Sequence, residues 1–347
     1  MPAAQMPAAQ VPVVHALPVY GTAAGAGYVA LPPTAVDAVA TGATRLIIAW
    51  PGFDPPRTAG ALAAAIPMTG VPAWRVFLDL PGRSPGGLGS GAILESEAVE
   101  AYGAAVIRAV ESLPATVAEL RRDLAIPDGP IGLAGFSAGA AAALLAVARG
   151  TVPVSTAALV APVVAPSRAA RAVEKRAGRD RTWTEPARAL ADRLDLGSLA
   201  GDIAARDVAL LFVAGAKDRV VPPSEITALC DALRRSAASL TAAAPADGPP
   251  ADASPNASGE ASGEASGTGC AVESVTLRMG HALVPEPGTE PRPPITEAVR
   301  ADGVLTEWFR ERLAEVRHLP VAEAPAVRVS LAERVKAAAA SGAGSDR

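Results

Sequence analysis

Two serines of this chain lie in a pattern that is typical of reactive serines, Gly-x-Ser-x-Gly. One is Ser137, in GFSAG at residues 135–139, and the other is Ser84, in GRSPG at residues 82–86. In this pattern the serine lies on a sharp strand-to-helix turn, and the glycines let the backbone close without a clash. A serine held in this way can attack a carbonyl carbon once a base removes its proton.

The neighbouring residues favour Ser137 as the nucleophile. The strand-forming segment IGLAGF precedes it, and a run of strong helix formers, AGAAAALLAVARG, follows it. Such a turn places the serine at the positive end of a helix dipole and the N–H of Ala138 beside a developing oxyanion. Pro85, which follows Ser84, has no N–H to donate. We therefore predict that Ser84 belongs to a loop, and a structural turn serine is the alternative for Ser137.

A serine of this kind usually depends on a histidine base, and the chain contains 3 histidines. His15 lies near the amino terminus, and His318 lies beyond the last predicted helix. His281 directly follows the predicted strand VESVTLRM, and ligand-facing groups of an open parallel sheet collect at the carboxyl ends of its strands. His281 is the predicted base, and a structural loop histidine is the alternative.

A carboxylate must orient that histidine, and two aspartates follow predicted strands. Asp218 comes just after VALLFVAG, and Asp79 ends the strand that contains VFLDL. Asp218 is favoured because its strand directly precedes the strand of His281 along the chain. The order Ser137, Asp218, His281 is also the order found where the serine lies on such a turn. Asp79 is the rival, and a plain surface aspartate is the alternative reading of Asp218.

Six apolar runs predict the strands that would position these residues. Continuously apolar strands imply burial on both faces, as in a parallel sheet. The predicted strands are residues 45–50, 74–80, 131–136, 155–164, 208–215 and 272–279. The predicted helices are residues 57–66, 92–124, 138–149, 223–235 and 295–317. A hairpin within residues 17–31 would add antiparallel edge strands.

This alternation predicts an α/β fold with a doubly wound, mostly parallel sheet over residues 20–319. Residues 165–200 are too long for a simple crossover and predict a short helical cap or lid. Residues 236–269 carry almost no large apolar side chain and predict a disordered loop. Residues 1–19 and 320–347 are predicted to be flexible tails.

The three motifs, taken in order on these elements, resemble the α/β-hydrolase superfamily over residues from about 20 to 317. The resemblance implies a second oxyanion donor after the first long strand, commonly in an HG-x stretch. This chain has AWPGFDPP there, so Pro51 replaces the usual histidine, Gly52 matches the glycine, and the N–H of Phe53 would be the donor. Phe53 packing at the mouth of a pocket is the alternative.

The resemblance implies a serine hydrolase, carboxylesterase-like, that cleaves an ester or related acyl bond without a metal or cofactor. Thioester hydrolysis, prolyl-oligopeptidase-like peptide hydrolysis and a non-catalytic binding protein are the alternatives. Phe136 and Trp183 are candidate substrate-binding residues. Residues 167–188 carry a net charge of +4, which would attract an anionic acyl group or thioester if they faced the pocket. A solvated helix face is the other reading.

Composition excludes several other classes of protein. The net charge is −4 and there is no basic stripe, so nucleic acid is not an expected partner. The 2 cysteines, Cys230 and Cys270, form no disulfide or zinc framework and are read as reduced thiols. The amino terminus lacks the basic region of a signal peptide, and no apolar run is long enough to span a membrane. We therefore expect a cytoplasmic protein with a small-molecule acyl substrate, and the sequence leaves its oligomeric state open.

Overall fold

The computed structural model describes residues 17–34, 38–82, 89–243 and 270–316. Several sequence predictions lie outside these residues: the predicted carboxyl-terminal tail, residues 1–16 of the amino-terminal tail, and residues 244–269 of the predicted loop. Ser84, His15 and His318 also lie outside them.

Eight strands form one sheet, which is antiparallel at one edge and parallel elsewhere. Along the chain they are β1 (Val19–Ala23), β2 (Ala26–Leu31), β4 (Leu46–Trp50), β5 (Trp74–Leu78), β6 (Ile131–Phe136), β7 (Val154–Val160), β8 (Ala209–Gly215) and β9 (Val272–Leu277). Their spatial order is β1-β2-β5-β4-β6-β7-β8-β9. The β1–β2 and β2–β5 pairs are antiparallel, and all later pairs are parallel. A separate antiparallel pair joins β3 (Ala38–Ala40) to β10 (Ala314–Val316).

Helices cover both faces of the sheet. They are α1 (Ala59–Ala65), α2 (Ser96–Asp123), α3 (Ala138–Arg149), α4 (Pro166–Ala177), α5 (Glu185–Arg193), α6 (Ala200–Ala204), α7 (Pro223–Ala243) and α8 (Thr296–Leu313). Short 3₁₀ helices span Ser90–Leu94 and Leu196–Leu199. Helices α1 and α8 pack on one face, and α2, α3, α6 and α7 pack on the other. The apolar cores on the two faces explain why β4, β6 and β8 are apolar throughout.

The predicted α/β class with a mostly parallel sheet is confirmed, as are the six predicted strands and the antiparallel hairpin. The insertion between β7 and β8 is helical, as predicted, and consists of α4 and α5 before the chain continues into α6. In the described part of the chain, no helix is both long enough and apolar enough to cross a membrane.

Several predicted boundaries were wrong. Helix α7 continues to Ala243, into the segment predicted as a loop, because residues 236–243 are rich in the helix formers Ala and Leu. Strand β7 ends at Val160, because Ala161 adopts a positive φ of 46°. The last predicted helix ends at Leu313, where the chain turns into β10.

Candidate active site

Ser137 lies at the sharp turn between β6 and α3, where the sequence places it. Its φ is 53° and its ψ is −112°, a conformation that residues with a side chain rarely adopt. The glycines of the motif allow the turn to close: a Cβ on Gly135 would collide with the backbone of Gly139 and Ala140, and a Cβ on Gly139 would collide with the carbonyl of Trp50. The turn therefore holds the serine in a strained backbone at the carboxyl end of a central strand.

Hydrogen bonds connect Ser137, His281 and Asp218 in a line. Ser137 Oγ is 2.8 Å from Nε2 of His281, and Nδ1 of His281 is 2.7 Å from Oδ2 of Asp218. An ionised carboxylate can only accept, so Nδ1 carries the proton and donates a hydrogen bond to Asp218. Nε2 then presents its lone pair to the serine hydroxyl. All three residues are buried, with 2%, 8% and 6% of their surfaces exposed.

The loop after β8 holds the Asp218 carboxylate in place. Its Oδ1 accepts hydrogen bonds from the backbone N–H groups of Val220 and Val221, each at 2.8 Å. The same loop is joined to the histidine loop, because Lys217 N donates to the Met279 carbonyl at 2.9 Å. One oxygen of Asp218 is thus fixed by its own loop while the other faces His281.

Asp79, the rival carboxylate, serves a different purpose. Its Oδ1 accepts a hydrogen bond from the N–H of Ala59, the first residue of α1, at 2.7 Å. A carboxylate at a helix amino terminus satisfies an otherwise unpaired N–H and complements the helix dipole. Asp79 therefore stabilises the start of α1.

Phe53 and Ala138 line the same small cavity as Ser137. As the first residue of α3, Ala138 has an N–H with no acceptor inside its helix. Gly52 brings the loop after β4 against the serine turn, since a Cβ there would lie 2.7 Å from the Phe136 ring and 2.9 Å from the Ser137 Cβ. The two residues predicted as oxyanion donors thus both line the cavity beside Ser137.

The cavity has a volume of about 30 Å³ and a largely apolar lining. Its side chains include those of Phe53, Ile93, Ala98, Tyr102, Val163 and Val220. Burial raises the pKa of the Tyr102 phenol, which keeps that hydroxyl neutral. The small volume and the apolar lining favour a small, apolar group.

Neither residue predicted to bind substrate lines this cavity. Phe136 is completely buried at the end of β6, and its ring lies 5.5 Å from the His281 ring, so it packs against the histidine. Trp183 is 5% exposed, and its Nε1–H donates to the Ile93 carbonyl at 2.7 Å. Because Ile93 lines the cavity, this hydrogen bond connects the helical insertion between β7 and β8 to the cavity wall.

The basic insertion lies outside the cavity. Its arginines form several ion pairs: Arg168 with Asp195 and Glu225, Arg179 with Glu95, Arg181 with Glu174, and Arg188 with Glu185. The Arg181 guanidinium lowers the pKa of the Glu174 carboxyl to about 2. Arg171, Lys175 and Arg176 line an open groove of about 570 Å³ with Arg219. The groove and the cavity share no lining residue, so these charges do not face the small cavity.

Sequence reasoning missed one carboxylate at the site. Oδ2 of Asp54 is 3.4 Å from Nε2 of His281. A single aspartate among prolines after β4 carries no pattern that distinguishes it from a loop residue. Within the described residues, no group of three or more His, Cys, Asp or Glu side chains is placed to bind a metal ion.

Solved structures similar to this one include TT1662 from Thermus thermophilus, with 17% identity and a TM-score of 0.50 over 84% of this chain and 98% of that one. An acylaminoacyl peptidase from Pyrococcus horikoshii has 10% identity and a TM-score of 0.51, over 86% of this chain and 42% of its own. A puromycin-hydrolysing peptidase from Mycobacterium tuberculosis has 16% identity and a TM-score of 0.50, over 85% of this chain and 40% of its own.

This chain therefore spans about two fifths of the length of the two peptidases. No protein-family model matches the sequence, and no curated protein matches it. The sheet order and these structural similarities show that the chain has the α/β-hydrolase fold.

Proposed function

We propose that this chain is a serine hydrolase that cleaves a carboxylic ester or a related acyl bond through an acyl-enzyme. Ser137 is the nucleophile, His281 the general base, and Asp218 the carboxylate that orients the histidine. The observation that carries the proposal is the buried line of hydrogen bonds from Ser137 Oγ through His281 to Asp218, on a strained strand-to-helix turn. This arrangement matches the geometry by which a serine hydroxyl is activated.

The first half of the reaction makes the acyl-enzyme. His281 Nε2 takes the Ser137 proton as Oγ attacks the carbonyl carbon of the substrate, and Asp218 stabilises the imidazolium that forms. The N–H groups of Ala138 and Phe53 hold the oxyanion, and each donor of this kind contributes about 10² to 10³ in turnover. The imidazolium then gives its proton to the leaving group as the bond to the acyl carbon breaks.

The second half repeats these steps with water. Water attacks the acyl carbon as His281 Nε2 takes a proton from it. The bond between Ser137 Oγ and the acyl carbon then breaks, and His281 gives that proton to Oγ. The small apolar cavity beside Ser137 favours a short apolar acyl group. A short, neutral acyl group is therefore the acyl part of the substrate that the cavity supports best.

An activity-based probe tests the proposal. A fluorophosphonate modifies an activated serine, so mass spectrometry of labelled, digested protein should find the adduct on Ser137. We expect Ser137→Ala to abolish labelling and His281→Ala to slow it strongly, with both variants folded by circular dichroism. Folded wild-type protein that is not labelled, or is labelled on another serine, would show that Ser137 is not activated and would favour a non-catalytic binding protein.

A further inference from the structure

A second carboxylate lies beside the Ser137–His281 pair. Oδ2 of Asp54 is 3.4 Å from His281 Nε2, the nitrogen that Ser137 Oγ contacts at 2.8 Å. The other oxygen, Oδ1, accepts a hydrogen bond from the N–H of Ser90 at 3.1 Å, which orients the carboxylate. Only 15% of the Asp54 side chain is exposed. Its Oδ2 is buried and accepts no hydrogen bond from the described part of the chain.

A buried carboxylate oxygen without a donor is unfavourable. Neutral His281 cannot supply the donor, because its Nδ1–H points to Asp218 and its Nε2 accepts from Ser137. Asp54 Oδ2 therefore lies beside the reacting groups as an unused acceptor. A donor that satisfies it can come with the substrate.

We infer that Asp54 is a specificity-determining residue whose Oδ2 accepts a hydrogen bond from an N–H of the leaving group. Asp54 therefore favours substrates whose scissile bond is to nitrogen. The inference rests on the proposed function. The leaving atom must approach Nε2 to receive its proton, which also brings it near Oδ2, 3.4 Å from that nitrogen. An amine nitrogen offers a lone pair to Nε2–H and its own N–H to Oδ2. An ester oxygen offers a lone pair but no hydrogen.

As the tetrahedral intermediate collapses, the electron pair of the C–N bond moves to nitrogen, and the proton from His281 Nε2 bonds to that nitrogen. The amine leaves neutral, and no proton is transferred to Asp54, which only accepts the hydrogen bond from the N–H. A departing alkoxide or phenolate has no N–H, and its negative charge is repelled by the carboxylate.

The test compares p-nitroacetanilide with p-nitrophenyl acetate, which share an acyl group and an aromatic ring and differ in the leaving atom. We expect Asp54→Ala to lower kcat/KM for the anilide by about 10- to 100-fold more than for the ester, the effect of losing a hydrogen bond to a charged group. Asp54→Asn keeps an acceptor oxygen without the charge, so its loss of kcat/KM for the anilide should be smaller than that of Asp54→Ala. The ester reaction is the internal control for folding.

Equal losses of kcat/KM for both substrates in Asp54→Ala would overturn the inference, because they would mean that Asp54 acts only through His281 or through the fold. Absence of anilide hydrolysis by the wild-type protein would overturn it as well. Ser137→Ala separates the inference from the proposed function. If Ser137→Ala still cleaves the ester, the proposed function fails. If Ser137→Ala is inactive but the Asp54 variants leave the ratio of kcat/KM for the anilide to kcat/KM for the ester unchanged, only the inference fails.

Discussion

Asp218 and Asp79 each follow a strand of the same sheet, and their contacts give them different roles. Asp218 accepts from His281 at 2.7 Å, whereas Asp79 accepts from the first N–H of α1. We predict that Asp218→Asn lowers kcat for a short p-nitrophenyl ester by about 10⁴, because an amide does not hold the histidine in the required tautomer.

The matched control is Asp79→Asn, which should keep near wild-type kcat, with at most a small fall in the free energy of unfolding at the start of α1. Steady-state kinetics and urea unfolding of both variants provide the measurement. Comparable losses of kcat in the two variants would contradict the assignment of the two aspartates.

The position of a site residue could be predicted from the sequence where a pattern joined that residue to an element. Ser137 is placed by a strand before it and a helix after it, and His281 and Asp218 each follow a recognisable strand. Asp54 could not be predicted, because its position depends on how the loop after β4 packs against the histidine loop. One contact that sets this packing, from Leu283 N to the Pro55 carbonyl at 2.9 Å, joins residues far apart in the chain.

The helical insertion is attached to the cavity wall by Trp183. Its Nε1–H donates to the Ile93 carbonyl at 2.7 Å, and Ile93 lines the cavity. Trp183→Phe keeps the aromatic packing but removes the donor, so we expect a loss of roughly 1–3 kcal/mol in the free energy of unfolding. We also expect a higher KM for short esters, because the wall next to Ser137 is less well fixed.

Trp308→Phe is the matched control for this prediction. Trp308 is also buried and donates from Nε1 to Thr156 Oγ1 at 2.8 Å, but it belongs to α8, away from the cavity. Denaturation should show a similar loss of stability, while KM should stay at the wild-type value. If both variants raise KM alike, the insertion has no special role in shaping the cavity.

Elements with strong periodicity or strong propensity were predictable, and short ones were not. Strands β6 and β8 are unbroken apolar runs, and α3 is built almost entirely of helix formers. Strands β3 and β10 have three residues each and, within the described residues, pair only with one another, so no pattern marks them. The end of helix α7 was predicted as a loop because residues 236–243 contain few large apolar side chains. Their helix propensity is good, and the helix continues through them.

At the level of the whole molecule, the reactivity of the two cysteine thiols measures how cooperatively the chain unfolds. Cys230 and Cys270 are 1% and 9% exposed, and burial raises the pKa of Cys230 to about 11 and also raises the pKa of Cys270. Since the thiolate is the reactive form, neither should react with a disulfide reagent in native buffer. Reaction should begin only as guanidinium unfolds the protein.

Val299→Cys is the control for that measurement, because Val299 is 53% exposed and a thiol there should react at once. Rapid labelling of Cys230 or Cys270 in the native protein would instead indicate local opening near β9. The same experiment tests whether the edge of the sheet that carries His281 shares the stability of the rest of the fold.

The fold class was predictable from the chain, but the spatial order of the strands was not. Alternating strands and helices indicate a parallel sheet, whereas the position of β5 between β2 and β4 depends on long-range pairing. That pairing sets which strand ends come together. It brings the carboxyl ends of β4, β6, β8 and β9 to one edge, where Phe53, Ser137, Asp218 and His281 lie in the loops that follow.

The most direct test of the account is the turnover of p-nitrophenyl acetate by Ser137→Ala beside Ser84→Ala, since both serines lie in a Gly-x-Ser-x-Gly sequence. We predict that Ser137→Ala loses about 10⁶ in kcat, as when the nucleophile of a triad is removed. Ser84→Ala should keep wild-type activity. A loss below tenfold in Ser137→Ala, together with abolished turnover in Ser84→Ala, would contradict it.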